Sequence, residues 1–182
     1  MATEILHMAQ YLKRKGPIQD KETFVSSAKD IVNSTKSISQ FLKAIADHCL
    51  DKHCADDLAF IVEQMQTVSS QLTIISNVNA LTPGSKSSDE SLVKNAQNLL
   101  RIVLQGLHAA EAACIRGLRQ PEPNSDGAKA AALCFQWKKN LLIHRALQIS
   151  NPETDDLGLR KTASRPAAPS LAASVHLMEG YK

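Results

Sequence analysis

Apolar residues recur along this chain at alternating spacings of four and three residues, the pattern of helices packed in a bundle. The predicted helices cover 3–15, 24–49, 54–81, 87–118 and 128–149. Short loops between long helices favour antiparallel neighbours. We therefore predict an all-α fold, an antiparallel up-down bundle of four to five helices. The first helix opens inside the apolar pattern without a cap, so we expect it to be truncated, as in a fragment or short isoform, and to leave part of the core uncovered.

The chain changes in composition near its end. Asn151-Pro152 stops the last predicted helix, and a segment rich in Pro, Ala and Ser follows Glu153. Such composition cannot bury a core and is typical of disorder. We predict a bundle with its C-terminal extension over 1–139, and a partly helical, then disordered, flexible tail over 140–182.

The helix predicted over 54–81 carries a second apolar stripe. Its core seam includes Leu72, whereas Ile74, Val78 and Leu81 lie about 160°, 120° and 180° around the helix from that residue. Apolar side chains on the far face of a bundle helix either meet another helix or bind a partner. This stripe is the first candidate for a functional surface.

The following two helices carry a basic bias. One polar face of the helix over 87–118 spans about 80° and holds Lys94, Asn98, Arg101, Gln105, His108, Arg116 and Arg119. The next helix adds Lys129, Lys138, Lys139 and Arg145 and contains no acid between Gly127 and Pro152. This is either a solvated face or a surface for an acidic partner. Trp137, the only tryptophan, either anchors the tail on the bundle or is an interface hot spot.

Composition narrows the function classes. The net charge of +3 over 182 residues is too small to indicate nucleic-acid binding. No segment has the pattern of a signal peptide or a membrane span, so a cytoplasmic protein with four reduced thiols is expected. His48-Cys49 and His53-Cys54 suggest zinc, but both cysteines lie on core seams, and buried thiols are the better interpretation. No motif for an enzyme or a cofactor is present.

Several motifs, in this order, resemble the C-terminal actin-binding bundle of the vinculin/α-catenin family. They are Lys15-Gly16-Pro17, Ala28-Lys29-Asp30-Ile31, Ile45-Ala46-Asp47-His48-Cys49, Gln71-Leu72 with Ser76-Asn77-Val78, and Asn95-Ala96-Gln97-Asn98-Leu99. The resemblance implies a five-helix bundle that binds filamentous actin through its last two long helices and the segment beyond. Ile74 and Val78 match apolar actin-contacting positions of that family, Thr67 is polar at a third, and Arg116 and Trp137 match a basic and an aromatic position.

We therefore expect an actin-binding module of a cytoskeletal scaffold, located in the cytoplasm on the cytoskeleton, or peripherally at the plasma membrane or junctions. The expected site comprises Ile74, Val78, Leu81, Lys94, Arg101, Arg116, Arg119, Trp137, Lys138 and Lys139. Two alternatives remain open. One is a Rho-pathway signalling scaffold whose bundle or tail docks a regulatory protein with little actin affinity, and the other is binding of anionic phospholipid by the basic face.

Overall fold

The computed structural model describes residues 1–150 and 166–175. The helices are α1 (Ala2–Leu12), α2 (Lys21–His48), α3 (Lys52–Leu81), α4 (Lys86–Arg116), α5 (Asp126–Ser150) and α6 (Leu171–Val175). No β-strand occurs in these two described ranges. The predicted all-α helical bundle is confirmed. The predicted tail falls partly on 151–165 and 176–182, which lie outside the described residues.

Side-chain caps set the starts of the three long antiparallel helices. The side chains of Asp20, Asp51 and Ser85 accept hydrogen bonds from backbone N–H groups three residues later, at 2.7, 3.1 and 3.3 Å. Each cap satisfies a donor that the first turn of a helix leaves unpaired. Gly117 ends α4 with a φ of +117°, a backbone conformation that side-chain-bearing residues rarely adopt.

The bundle is organised around the pair α2 and α4. Helix α3 packs on one side of this pair, and α1 and α5 both pack on the other side. Helix α1 covers the half of the groove that holds Phe24 and Leu92, while α5 covers the half that holds Ile45 and Ala113. The short first helix therefore does not leave this groove open, because α5 occupies the half that α1 does not reach.

A close contact of α4 with both α2 and α3 requires a glycine. A Cβ atom at Gly106 would lie 2.6 Å from Cδ1 of Leu42 and 3.3 Å from Cγ2 of Ile61. Leu42 is fully buried, so its side chain has little space into which to move. Gly106 thus lets three helices meet at one level of the core.

The cysteines differ from the sequence prediction. Four reduced thiols are expected, but the structure joins Cys114 and Cys134 in a disulfide, with their Cα atoms 5.7 Å apart. Cys49 and Cys54 are free. The prediction is wrong for the bonded pair because its two residues belong to different helices, the last turn of α4 and the third turn of α5, which only the tertiary fold brings together.

Part of the predicted disordered tail packs on the bundle instead. Leu171 is fully buried, and its backbone N–H donates to Oε1 of Glu111 at 2.9 Å. The indole Nε1–H of Trp137 donates to the carbonyl oxygen of Pro169 at 3.0 Å. One apolar side chain and two hydrogen bonds therefore dock the described part of this segment, which average composition does not reveal.

Replacing Gly106 with valine is expected to lower the free energy of unfolding by about 1–3 kcal/mol, because the added methyl groups overpack the contact with Leu42. Chemical denaturation followed by circular dichroism measures this. The exposed neighbour Gln105→Val is the control for β-branching in a helix and should lose well under half as much. Equal losses would show that the α2–α4 contact is not tight at this position.

The disulfide predicts a thiol count. Denatured without reductant, the chain should expose two thiols that react with a chromogenic disulfide reagent, and four after reduction. Because the bond closes a segment with a sequence separation of 20, its loss should reduce stability by about 3 kcal/mol. Cys114→Ser should melt like the reduced wild type. Four reactive thiols without reductant would contradict the bond.

Candidate functional site

The second apolar stripe of α3 faces solvent. Ile74 is 62% exposed, Val78 52% and Leu81 82%. The opposite side of the same turns buries Leu72 and Ser76 against the neighbouring helices. No helix among the described residues covers these three side chains, so the structure leaves them available to a partner.

Sequence reasoning missed one member of this surface. Phe60 is 60% exposed and lies two heptads before Ile74, on the same side of α3. Thr67, midway between them, is also exposed. The seven-residue spacing of Phe60, Thr67 and Ile74 could have identified Phe60 from the sequence, but the polar Thr67 interrupts the apolar pattern. We call Phe60, Ile74, Val78 and Leu81 the α3 stripe.

A polar network holds the end of α3 that carries the stripe. Nδ2 of Asn79, a fully buried residue, donates to Oγ of Ser88 at 2.9 Å and to Oδ1 of Asp89 at 2.8 Å. Asp89 also pairs with Lys21, at the start of α2. Because hydrogen bonds in a low-dielectric interior are directional and strong, this network fixes α3 against α2 and α4 beside Val78 and Leu81.

The basic residues of α4 are exposed but spread along the bundle. Lys94 lies at the level of the α3 stripe, since α3 and α4 are antiparallel and joined by a short loop. Arg101 follows two turns later and donates to Oδ1 of Asn98 at 2.9 Å. Arg116 is about 33 Å from Lys94 along the helix axis, at 1.5 Å rise per residue.

The remaining basic residues lie around the corner between α4 and α5. We call Arg116, Arg119, Lys138 and Lys139 the corner patch. The Nε atom of Arg116 lies 3.8 Å from Oδ2 of Asp51, while Nζ of Lys138 donates to the carbonyl oxygen of Ile115 at 3.4 Å. The backbone N–H of Arg119 donates to the carbonyl oxygen of His48 at 2.7 Å, which ties the corner to the end of α2.

The carboxyl group of Asp51 is stabilised in its ionised form at this corner. The backbone N–H of Cys54 and, secondarily, the guanidinium of Arg116 lower the pKa of its carboxyl group. Asp51 therefore stays ionised at neutral pH and offsets part of the positive charge of Arg116.

Trp137 does not lie on the surface. It is 3% exposed, packs in the core with Cys134 and Ala130, and its indole N–H is bonded to Pro169. Of the two alternatives that the sequence left open, this placement fits an anchor of the tail. In this conformation its ring has no face to offer a partner.

The predicted site residues therefore do not form one surface. Ile74, Val78 and Leu81 lie with Lys94 at one end of the bundle, and the corner patch lies at the other. Lys138 and Lys139 also belong to α5, which is on the opposite side of the α2–α4 pair from α3. Two separate surfaces result, and Arg101 lies between them along α4.

Two further observations concern only the described residues. They contain no group of three or more His, Cys, Asp or Glu side chains placed to hold a metal ion. None of their helices is both long and apolar enough to cross a membrane.

Residues 1–142 match the sequence profile of the vinculin family. The chain belongs to the vinculin family. It is 32% identical over 130 residues to vinculin of Oscarella pearsei, and 34% identical over 110 residues to the vinculins of Xenopus laevis and Homo sapiens. These alignments cover 68% of this chain for the first and 56% for the other two. The chain spans only 15%, 47% and 10% of the length of these three relatives, respectively.

The burial of Trp137 in this vinculin-family bundle predicts its fluorescence. The native emission maximum should be blue-shifted relative to denatured chain, and acrylamide should quench it weakly, because the indole is excluded from water. Deleting residues 166–182 removes the hydrogen-bond acceptor at Pro169 and should raise quenching while helicity is kept. A native spectrum like that of the denatured chain would show that α5 does not dock through this residue.

Proposed function

We propose that this chain is a filamentous-actin-binding module of a cytoskeletal, adhesion-type scaffold. The observation that carries the proposal is the α3 stripe, an apolar surface on a rigid helix that no other described helix covers. Membership of the vinculin family and the match of Ile74 and Val78 to its apolar actin-contacting positions support the same partner. The proposed location is the cytoplasmic cytoskeleton, at junctions or the inner face of the plasma membrane.

The two kinds of surface residue make different contributions in this proposal. Full burial of an exposed Ile, Val or Leu contributes about 1.5–3 kcal/mol, from which the cost of ordering the interface is subtracted. The cations Lys94 and Arg101 steer the module towards the acidic surface of the filament and make binding sensitive to salt. The α3 stripe therefore supplies affinity and the basic face of α4 supplies association rate.

The corner patch has a distinct role. Because Arg116 is about 33 Å from Lys94, one partner reaches both only across an extended surface such as a filament. Arg116, Arg119, Lys138 and Lys139 then contact a second part of that surface, or an anionic phospholipid headgroup. Trp137 contributes indirectly, by holding the helix that carries Lys138 and Lys139.

One feature favours a second candidate function. Thr67 places a polar residue in the middle of the apolar face of α3, which reduces the area that a filament can bury. This favours a signalling scaffold of the Rho-pathway type, with weak actin affinity and a regulatory protein docked on the bundle or tail. The Asp47-His48-Cys49 corner and the Lys15-Gly16-Pro17 turn resemble α-catenin more than vinculin, and the unusual tail after Trp137 leads us to propose the α-catulin branch of the family. It is this resemblance that implies the Rho-pathway association.

Co-sedimentation with filamentous actin tests the proposal. Ile74→Ala with Val78→Ala should reduce the bound fraction at least fivefold without changing the circular dichroism spectrum, because both side chains are exposed. Leu142→Ala with Leu147→Ala is the matched control, since these leucines are similarly exposed on α5, on the other side of the bundle. Equal binding by both variants would contradict a role for the α3 stripe.

A salt series separates the contributions of charge and apolar area. Arg116→Gln with Arg119→Gln should lower binding at low ionic strength and flatten its dependence on salt. If folded wild type does not pellet with filaments even at low salt, actin is not the partner, and the scaffold alternative replaces it.

A further inference from the structure

A second apolar surface, which no other described helix covers, lies on α5 away from the core. Phe135 is 70% exposed, Leu142 58% and Ile149 82%. They recur at seven-residue spacing and project within about 40° of one another. The side of α5 that docks on the bundle includes the buried Ala130 and Trp137, which lie about 120° and 140° around the helix from Leu142. We call Phe135, Leu142 and Ile149 the α5 seam.

The seam supplies one of the two core positions in each heptad of a coiled coil, and Lys138 and Arg145 occupy the other. Residues repeating every seven positions keep facing a partner helix when two helices wind around each other. No Gly or Pro interrupts 128–150, and α5 is a continuous helix as far as Ser150. Because this helix is already formed before binding, a partner helix meets a preformed surface about 21 Å long.

The charges around the α5 seam specify the partner. Lys138 and Arg145 line one edge of it, and they too are seven residues apart. Lys139 flanks the other edge of the seam, between it and two further exposed apolar residues of α5, Ile143 and Leu147. No acidic residue occurs between Gly127 and Ser150. A partner helix with carboxylates beside its apolar positions would satisfy all three cations.

The same charges exclude the two simplest other occupants. A second copy of α5 would bring like charges to the edges of the seam, which is destabilising. A lipid surface would cover the wider apolar face that the seam forms with Ile143 and Leu147, and Lys139 lies at the centre of that face, so its ammonium group would be taken towards the acyl region. In a two-helix seam the same lysine pairs with a glutamate of the partner.

We propose that the outer face of α5 is a docking site for an acidic amphipathic helix of another protein. The partner packs apolar side chains against Phe135, Leu142 and Ile149 and places carboxylates against Lys138, Lys139 and Arg145. Because the seam has only about two heptads, the affinity is moderate and depends strongly on ionic strength. This site is separate from the α3 stripe, although it shares Lys138 and Lys139 with the corner patch.

The test uses the full chain and a labelled designed peptide of about three heptads, with Leu at both seam positions and Glu at the flanking positions. Fluorescence anisotropy should show binding in the micromolar range, weakened at least tenfold in Leu142→Ser with Ile149→Ser. A peptide with Lys in place of Glu should not bind. Lys138→Gln with Arg145→Gln should weaken binding several-fold and reduce its salt dependence.

Two controls separate this site from the proposed actin site. Ile74→Ala with Val78→Ala should bind the acidic peptide like wild type, while Leu142→Ser with Ile149→Ser should still pellet with filaments. Trp137 fluorescence should show that α5 remains docked in every variant. These two double variants therefore distinguish a failure of the α5 seam from a failure of the α3 stripe.

Several outcomes would overturn the proposal. Equal binding of the acidic and basic peptides, or binding of neither by wild type, would remove the charge argument. Concentration-dependent dimerisation that Leu142→Ser with Ile149→Ser abolishes would assign the seam to a second copy. Binding to phosphatidylserine-containing vesicles through the same residues, without peptide binding, would assign it to a membrane.

Discussion

The packing of α2 against α4 is the contact on which the rest of this bundle depends. Helix α3 docks on one side of this pair, and α1 and α5 share the other side. The α2–α4 pair therefore positions the helices that carry the α3 stripe, the corner patch and the α5 seam. Gly106 allows the close spacing of α2 and α4, because a Cβ atom at this position would lie 2.6 Å from Cδ1 of Leu42. A wider spacing would flatten both grooves and loosen the helices that carry the α3 stripe and the α5 seam.

Helices α1 and α5 share one groove of the bundle, so the attachment of α5 there affects both the stability of the bundle and the surfaces that α5 carries. Helix α5 fills space that the short first helix leaves, and it does so with few buried side chains, including Ala130, Cys134 and Trp137. A disulfide to α4 and the docked segment at Leu171 reinforce this attachment. Because α5 also carries basic residues and the α5 seam, its attachment determines whether those residues form a surface or a free helix.

The two apolar surfaces lie on opposite sides of the bundle. The α3 stripe and the α5 seam are separated by the α2–α4 pair, so a partner on one does not obstruct the other. This arrangement suits a scaffold, which must hold two proteins at once. The surfaces also differ chemically: cations of α5 itself flank the α5 seam on both sides, whereas those near the α3 stripe belong to the neighbouring helix.

Local sequence determined the helices and the part of the α3 stripe formed by Ile74, Val78 and Leu81. The four-three spacing of α2, from Phe24 to Cys49, identifies residues that are all buried, because helical period alone fixes which side chains share a face. The same argument found Ile74 and Val78. Only the tertiary structure decided that Trp137 is buried, that Cys114 meets Cys134, and that α5 fills the groove beside α1. These facts depend on contacts between residues distant in sequence, which no periodicity within one helix encodes.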